Sequence, residues 1–325
     1  MRRAGGFSLV ELMIAMTVGL GLIAAVTGLF AATSGGRSEL EKTARMFDNG
    51  RHAQDLLAED VRLAGYFGEL PLADYRTVVP DPCRVDATAL GWQPAVLPAV
   101  ATVPAAVVGY RDETGVPACL PDRLAGTDVV VIRRVATAPT PLAAIEAGIA
   151  YLQTSRCVDD TAPFALETTA AALTLRSFDC ATRLAPRRLV VRLYYVSRCN
   201  DCARDATPTL KRVEPRGASL TVVPLVEGIE DMRLDYGFDV DGDGVADRFL
   251  RSTSGVPGDA DDDWGNVVAV RLHLLARTVE RAVGPVDDAR FAMGLAGPVG
   301  PFPDGWKRTV FASAVRLANP AGRRE

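Results

Sequence analysis

Residues 12–36 form an uncharged, mainly apolar tract near the start of the 325-residue chain, and this tract restricts what the chain can fold into. A helix that rises about 1.5 Å per residue over this length would cross the roughly 30 Å hydrocarbon core of a bilayer. Arg2 and Arg3 precede the tract, and the small residues at 31–34 resemble a cleavage zone. The tract predicts a membrane anchor or a secretory signal, although the apolar part of such signals usually spans only about 7–15 residues.

A single carboxylate, Glu11, stands immediately before this tract, and neither interpretation explains it. An ionised carboxylate inside a membrane helix costs about 2.5–3.5 kcal/mol on insertion scales, so an acid in this position usually has a functional partner. Alternatively, Glu11 lies at the membrane interface, where the positive end of the helix dipole favours a negative charge. Both interpretations stay open from these residues alone.

The string GGFSLVELM at residues 5–13 resembles the class III signal of type IV pilins and type II secretion pseudopilins. The resemblance implies that a prepilin peptidase cuts between Gly6 and Phe7, that Phe7 is then N-methylated, and that Glu11 serves assembly. Residues 1–6 would be a leader peptide, 7–33 a transmembrane assembly helix and 34–66 its amphipathic continuation. In a filament, Glu11 of one subunit would meet the charged amine of Phe7 in its neighbour, where a low dielectric strengthens the attraction and desolvation offsets part of it.

A second stretch, NGRHAQDLLAEDVRLAGYFGEL at residues 49–70, is similar to a segment of the PilW-type minor pilins. This resemblance implies a structural subunit of an initiation or tip complex that supports type IV pilus assembly, twitching motility, adhesion or DNA uptake. The implied partners are other minor pilins, the major pilin, a tip adhesin, the prepilin peptidase and the inner-membrane assembly platform. The implied location is the inner membrane, in a single pass with a periplasmic C-terminal domain, and then the extracellular pilus.

Two other functions remain open. J-type pseudopilins of type II secretion share the general plan of this chain. A secreted enzyme or binding domain behind an ordinary signal peptide would instead begin near Ser34. No enzyme is expected, because His52 and His273 do not neighbour a recognisable nucleophile motif. Nucleic acid is not an expected direct partner, because the net charge is −4 and no basic patch is concentrated.

The rest of the sequence predicts an α+β fold, in which the long N-terminal helix packs on an antiparallel sheet. Leu40, Ala44, Phe47 and later apolar residues near helical spacing predict the helix face that packs on the sheet. Residues 67–325 are expected to form a globular β-rich domain, with irregular loops at 71–126. Runs rich in Val, Leu or Tyr predict strands at 128–135, 172–178, 188–197, 220–223, 231–239, 267–275 and 309–317.

The segment DVDGDGVAD at residues 239–247 places acids at alternating positions and resembles the first part of an EF-hand-type calcium loop. Carboxylates would come from Asp239, Asp241, Asp243 and Asp247, and a backbone carbonyl from Val245. Leu250 stands where such a loop carries its bidentate glutamate, so remote acids at 259 and 261–263 would have to complete the shell. The alternative is a solvated hairpin turn, because Asp-Gly pairs tolerate positive φ. Calcium is the only cofactor that this sequence suggests.

The chain contains an even number of cysteines, which suits disulfides in an oxidising compartment. The cysteines are Cys83, Cys119, Cys157, Cys180, Cys199 and Cys202. Pairing between nearest neighbours is one of 15 connectivities open to six cysteines. The alternative, a zinc site at the CxxC of Cys199 and Cys202, needs two further ligands from the other cysteines or histidines.

Overall fold

The computed structural model of the chain describes residues 8–70, 75–94, 100–111, 115–252, 264–282 and 288–323. The first element, helix α1 (Leu9–Leu63), has 55 residues and would measure about 80 Å at the standard rise. It runs without a break across the predicted boundary between residues 33 and 34. A short helix, α2 (Ala318–Gly322), closes the chain and packs against α1.

Strands make up most of the structure between the two helices. In chain order they are β1 (Tyr75–Val78), β2 (Ala101–Pro104), β3 (Val107–Tyr110), β4 (Val129–Val135), β5 (Tyr151–Thr154), β6 (Phe164–Glu167), β7 (Arg187–Ser197), β8 (Thr209–Arg216), β9 (Ser219–Glu227), β10 (Ile229–Phe238), β11 (Arg248–Leu250), β12 (Val267–Arg277), β13 (Phe291–Ala292), β14 (Pro298–Val299) and β15 (Arg308–Arg316).

Most of the strands belong to two antiparallel sheets. In the larger sheet, β3, β4, β7, β8 and β9 lie side by side, and β5 with its neighbour β6 joins the beginning of β7. The second sheet has the order β11-β10-β12-β15. Two small pairs complete the set, a parallel one between β1 and β2 and an antiparallel one between β13 and β14. The predicted α+β architecture, a long N-terminal helix followed by an antiparallel β-domain, is therefore confirmed.

The C-terminal half of α1 is part of the hydrophobic core. Ala53, Leu57 and Val61 repeat every four residues, lie on one face and are completely buried. This part of α1 packs against β12 and β15. Full burial of a leucine side chain stabilises a fold by about 1.5–3 kcal/mol. Packing of this face therefore holds the β-rich domain against the C-terminal half of α1.

The structure corrects several predictions. Leu40 is 72% exposed, so it does not pack on the sheet as expected, and Phe47 packs on Phe311 of β15 but stays 41% exposed. Residues 172–178 are not a strand; only Arg176 forms an isolated bridge, with Arg183. Residues 71–126 are not irregular throughout, because β1, β2 and β3 lie there. These short strands were missed because runs of four residues show too little alternation to distinguish them from loops.

Candidate functional site

The predicted cleavage site between Gly6 and Phe7 lies outside the described residues, whereas Glu11 lies within them. Glu11 forms a capping box with Ser8 at the start of α1. The Glu11 amide donates to Ser8 Oγ at 3.1 Å, and the Ser8 amide donates to Glu11 Oε2 at 3.2 Å. A capping box gives partners to backbone amides that the helix itself leaves unpaired. Within one chain, Glu11 therefore stabilises the first turn of α1.

Helix α1 is long and apolar enough to cross a membrane. Its most apolar stretch is not covered by the rest of the described chain. Leu22, Val26 and Leu29 are 62–68% exposed, as are many other large apolar side chains in this half of the helix. Leaving apolar surface in water is unfavourable by about 25 cal/mol per Å². This half of α1 therefore requires lipid or another protein around it.

The acidic loop connects β10 to β11, which pair as an antiparallel hairpin. Its first acid, Asp239, is 1% exposed and accepts hydrogen bonds from the amides of Gly242 at 2.7 Å and Gly244 at 2.9 Å. Both glycines have φ near +80°, a conformation that residues with a Cβ rarely adopt. The chain continues as a strand at Leu250, so a helix does not follow this loop as it follows an EF-hand loop.

The structure brings three of the predicted calcium ligands together. Carboxylate oxygens of Asp239, Asp241 and Asp247 lie within 4.8 Å of one another. The Asp243 carboxylate is not in this group and accepts a hydrogen bond from the Val245 amide at 2.8 Å. The remote acids expected to complete the shell, at 259 and 261–263, lie outside the described residues. Three clustered carboxylates repel one another, and a bound cation would relieve this repulsion.

A buried ion-pair cluster around Asp60, which the sequence analysis did not identify, joins α1 to the larger sheet. Asp60 is 3% exposed, and its carboxylate accepts hydrogen bonds from Arg134 Nη2 at 3.0 Å, from Arg192 Nη1 at 2.7 Å and from the Tyr194 hydroxyl. Burial alone would raise the pKa of Asp60. The hydrogen bonds and positive charges of these partners outweigh burial and lower the pKa, which keeps the carboxylate ionised at neutral pH.

One signal for this cluster is present in the sequence. Asp60 lies three residues after Leu57 and directly before Val61, and both of these residues belong to the buried face of α1. An acid at an apolar position of an amphipathic helix indicates a buried partner, because an unpaired buried charge is strongly unfavourable. The identity of the partners could not be read in the same way, because they lie in β4 and β7, far along the chain.

The six cysteines form three disulfides between neighbours in sequence. These are Cys83–Cys119, Cys157–Cys180 and Cys199–Cys202. Because each pair is oxidised, the zinc alternative for the CxxC is not supported. Cys157–Cys180 closes a loop that follows β5 and contains β6. The two histidines lie far apart in the fold. His52 is exposed on α1, and His273 Nε2 lies 3.3 Å from Asp235 Oδ2 inside the second sheet.

Comparison with known proteins gives two family matches. Residues 193–319 match the family described as type IV pilus-assembly protein W, PilW. Residues 1–27 match the prokaryotic N-terminal methylation motif, the motif of class III prepilin signals. No curated protein and no solved structure matches the chain significantly.

The two matches lie in separate parts of the chain. The methylation-motif match covers the predicted leader and the beginning of the exposed apolar helix, and the PilW match extends from β7 to α2 and includes strands of both sheets. The structure supplies the same plan independently, as a long apolar N-terminal helix that carries an antiparallel β-domain. The two matches and the fold therefore support a type IV pilus-related pilin, similar over residues 193–319 to the PilW family.

Proposed function

We propose that this protein is a minor pilin that works as a structural subunit of the pilus initiation or tip complex. It is inserted in the inner membrane by α1, cleaved between Gly6 and Phe7, and then assembled with other minor pilins and the major pilin. The PilW match over residues 193–319, joined to a prepilin signal, is the observation that carries this proposal. In this role it would support assembly of a pilus used for twitching motility, adhesion or DNA uptake.

Fractionation of piliated cells tests the proposal. The protein is expected in the membrane and in sheared pili, with a mature N-terminus at methylated Phe7 by intact-mass spectrometry, and with other minor pilins in the co-purified set. Recovery with secretion pseudopilins alone would instead assign the chain to a type II secretion pseudopilus. A mature start near Ser34 would contradict both assignments and indicate an ordinary secreted protein.

We also propose that Glu11 has two partners in succession. Before assembly, its carboxylate caps α1 through the Ser8 amide. In the filament, the same carboxylate would pair with the Phe7 amine of a neighbouring subunit, where exclusion of water strengthens the attraction. The exchange is favourable because the capping bond is a single exposed hydrogen bond, which contributes about 0.5–1.5 kcal/mol.

Three variants separate these two roles of Glu11. Glu11→Gln retains a capping group, because glutamine also completes a capping box, but it removes the charge. Ser8→Ala removes the cap and leaves the charge. We expect Glu11→Gln and Glu11→Val to reduce the amount of protein in sheared pili at least tenfold, and Ser8→Ala to reduce it less than threefold. Membrane insertion should be unchanged in all three, as measured by carbonate extraction.

The opposite pattern would show that capping is the only role of Glu11. In that case Ser8→Ala would impair assembly as strongly as Glu11→Val, and Glu11→Gln would assemble like the wild type. Immunoblots of the pilus and membrane fractions, each normalised to total protein, distinguish the two patterns.

We further propose that the loop at 239–247 binds calcium through Asp239, Asp241 and Asp247, whose carboxylates lie together. Calcium in millimolar excess is expected to raise the melting temperature of the detergent-solubilised full chain by several degrees, since a ligand at 100 times its Kd adds about 2.7 kcal/mol. Asp241→Ala should abolish the increase, whereas Asp48→Ala, an exposed acid on α1, should keep it. A wild-type melting temperature that does not respond to calcium would mean that the loop is a solvated hairpin.

A further inference from the structure

Two neighbouring segments of the domain lie beside α1 where the helix leaves its apolar half. One segment, residues 278–282, follows β12, and the other, residues 304–308, leads into β15. A backbone hydrogen bond of 3.0 Å from the Thr278 amide to the Lys307 carbonyl joins them. We call the two segments together the basal rim.

The basal rim is the part of the described domain nearest to the membrane half of α1. The described residues of α1 before Glu39 are exposed, except for the partly exposed Gly19. Lys307 Nζ of the rim lies 3.2 Å from Glu39 Oε2, and Lys42 Nζ donates to the Arg281 carbonyl of the rim at 3.0 Å. The described domain therefore begins to cover the helix at the rim.

The height of the rim along α1 corresponds to the outer edge of the lipid headgroup layer. At a rise of about 1.5 Å per residue, Glu39 lies about 9 Å beyond residue 33, the end of the predicted transmembrane segment. Headgroups add about 5–8 Å on each side of the roughly 30 Å hydrocarbon core. A long side chain on the rim can therefore reach the lipid phosphates.

Two side chains of the rim have the chemistry that suits this height. Arg281 is exposed, and its guanidinium lies over the ring of the partly exposed Trp306, with Cζ 4.7 Å from the ring centroid. Tryptophan is enriched at membrane–water interfaces, because its ring is apolar and its N–H is polar. A guanidinium matches the geometry of a phosphate group. Val279, which is 41% exposed, adds apolar surface to the same rim.

The charge of Arg281 is not neutralised within the described part of the chain. The other two cations of the rim are paired with carboxylates, Lys307 with Glu39 and Arg308 with Asp304. No described carboxylate lies within ion-pair distance of the Arg281 guanidinium, which stacks on an indole ring instead. A cation at this height without a counter-charge is complementary to an anionic lipid headgroup.

We propose that the basal rim binds the anionic phospholipid headgroups of the leaflet from which α1 emerges, with Arg281 on a lipid phosphate and Trp306 beside it at the interface. The contact holds the domain against the membrane before assembly and is lost when the subunit leaves the bilayer. The inference rests on insertion of α1 in a membrane, which is part of the proposed function. Lipid is the occupant because α1, to which the rim is fixed, brings the rim to the headgroups of any bilayer that the helix spans.

Tryptophan fluorescence tests this contact, because Trp306 is the one tryptophan of three that is not buried. The full chain is reconstituted in vesicles of phosphatidylglycerol and phosphatidylcholine, with or without a nitroxide on the choline headgroup. We expect the nitroxide to quench the emission of the wild type, and Trp306→Phe to abolish this quenching. Quenching that persists in Trp306→Phe, or a wild type that inserts and is not quenched, would overturn the proposal.

A matched pair of variants tests the charge. Arg281→Gln is expected to lower the fraction of domains in contact with headgroups about fivefold, because one basic residue contributes about that factor at an anionic surface. Glu280→Gln removes the exposed acid next to Arg281 and should keep or increase the quenching. Both variants should melt at the wild-type temperature.

The outcomes separate this inference from the proposed function. Equal quenching in Arg281→Gln and wild type, or equal quenching of the wild type in vesicles of phosphatidylcholine alone, would overturn the headgroup contact and leave the proposed function in place. A wild-type chain that carbonate extracts from the vesicles would contradict the proposed function, and the inference would fall with it.

Discussion

Replacing Asp60 with alanine is expected to destabilise the domain by about 3–5 kcal/mol, the usual loss when one member of a buried ion pair is removed. The carboxylate of Asp60 is the shared acceptor for Arg134, Arg192 and the Tyr194 hydroxyl. Without it, two guanidinium groups at the interface between α1 and the larger sheet would lose their common counter-charge. Urea unfolding of the detergent-solubilised full chain, followed by tryptophan fluorescence, measures the change in unfolding free energy.

The matched control for this variant is Glu59→Ala. Glu59 is the preceding residue on α1 and is exposed, so its removal should change the unfolding free energy by less than about 0.5 kcal/mol. A loss for Asp60→Ala as small as that of the control would show that the cluster contributes no net stability.

The contribution of Asp60 should also depend on pH. Because the folded-state pKa of Asp60 lies below the ordinary aspartate pKa of 3.8, the stabilisation is fully present above about pH 4 and is lost as the pH falls through the folded-state pKa. The difference between wild type and Asp60→Ala should therefore be constant from pH 5 to 8 and should shrink below pH 4. A difference that grows on acidification would mean that Asp60 is protonated in the native state.

Gly50→Ala is expected to destabilise the domain by about 1–3 kcal/mol, the usual penalty for overpacking. Gly50 is a buried residue of α1, and a Cβ at this position would overlap the ring of Phe311 in β15. In an open helix position the same change would instead stabilise by about 0.5–1 kcal/mol, because glycine is a poor helix former. The sign of the measured change therefore shows whether the ring lies against bare backbone.

A double-mutant cycle with Phe311→Ala isolates this contact. Phe311→Ala removes the ring, and Gly50→Ala in that background should then be neutral or stabilising. Gly35→Ala is the control, since a Cβ there would meet nothing within 4 Å, and it should not destabilise the domain. If Gly50→Ala were equally harmful with and without the ring, the close approach of Phe311 would not be the cause.

Much of the fold could be predicted because it depends on patterns within short stretches of the chain. The apolar tract and the string GGFSLVELM predicted the long apolar N-terminal helix, and alternating residues in β12 predicted a strand with one exposed face, on which Arg271 lies. The short strands β1, β2 and β3 could not be predicted, since each is four residues long and is stabilised by partners elsewhere. Helix periodicity alone also could not tell which apolar residues face the domain, and Leu40 was misplaced for that reason.

For the candidate sites, too, the sequence predicted one part and the structure decided another. Glu11 and the acids of the loop at 239–247 were identified through resemblance to known short motifs, whose residues are neighbours in sequence. The structure changed their interpretation: Glu11 has an intrachain partner in Ser8, and Asp243 lies outside the group formed by Asp239, Asp241 and Asp247. These rearrangements depend on backbone conformation, in particular the positive φ angles of the loop glycines, which a spacing pattern does not specify.

The sequence by itself determined that this chain carries a prepilin signal, an apolar helix of membrane length and a β-rich domain, because hydropathy and spacing are properties of adjacent residues. Only the tertiary structure decided which helix face the domain covers, and that Asp60 pairs with Arg134 and Arg192, which lie 74 and 132 residues away. The physical reason is that folding brings together groups that lie far apart in the sequence. Burial then removes water from these groups, so they depend on one another. The packing of the whole domain therefore decides which acid acquires which counter-charge and which apolar residues of α1 remain exposed.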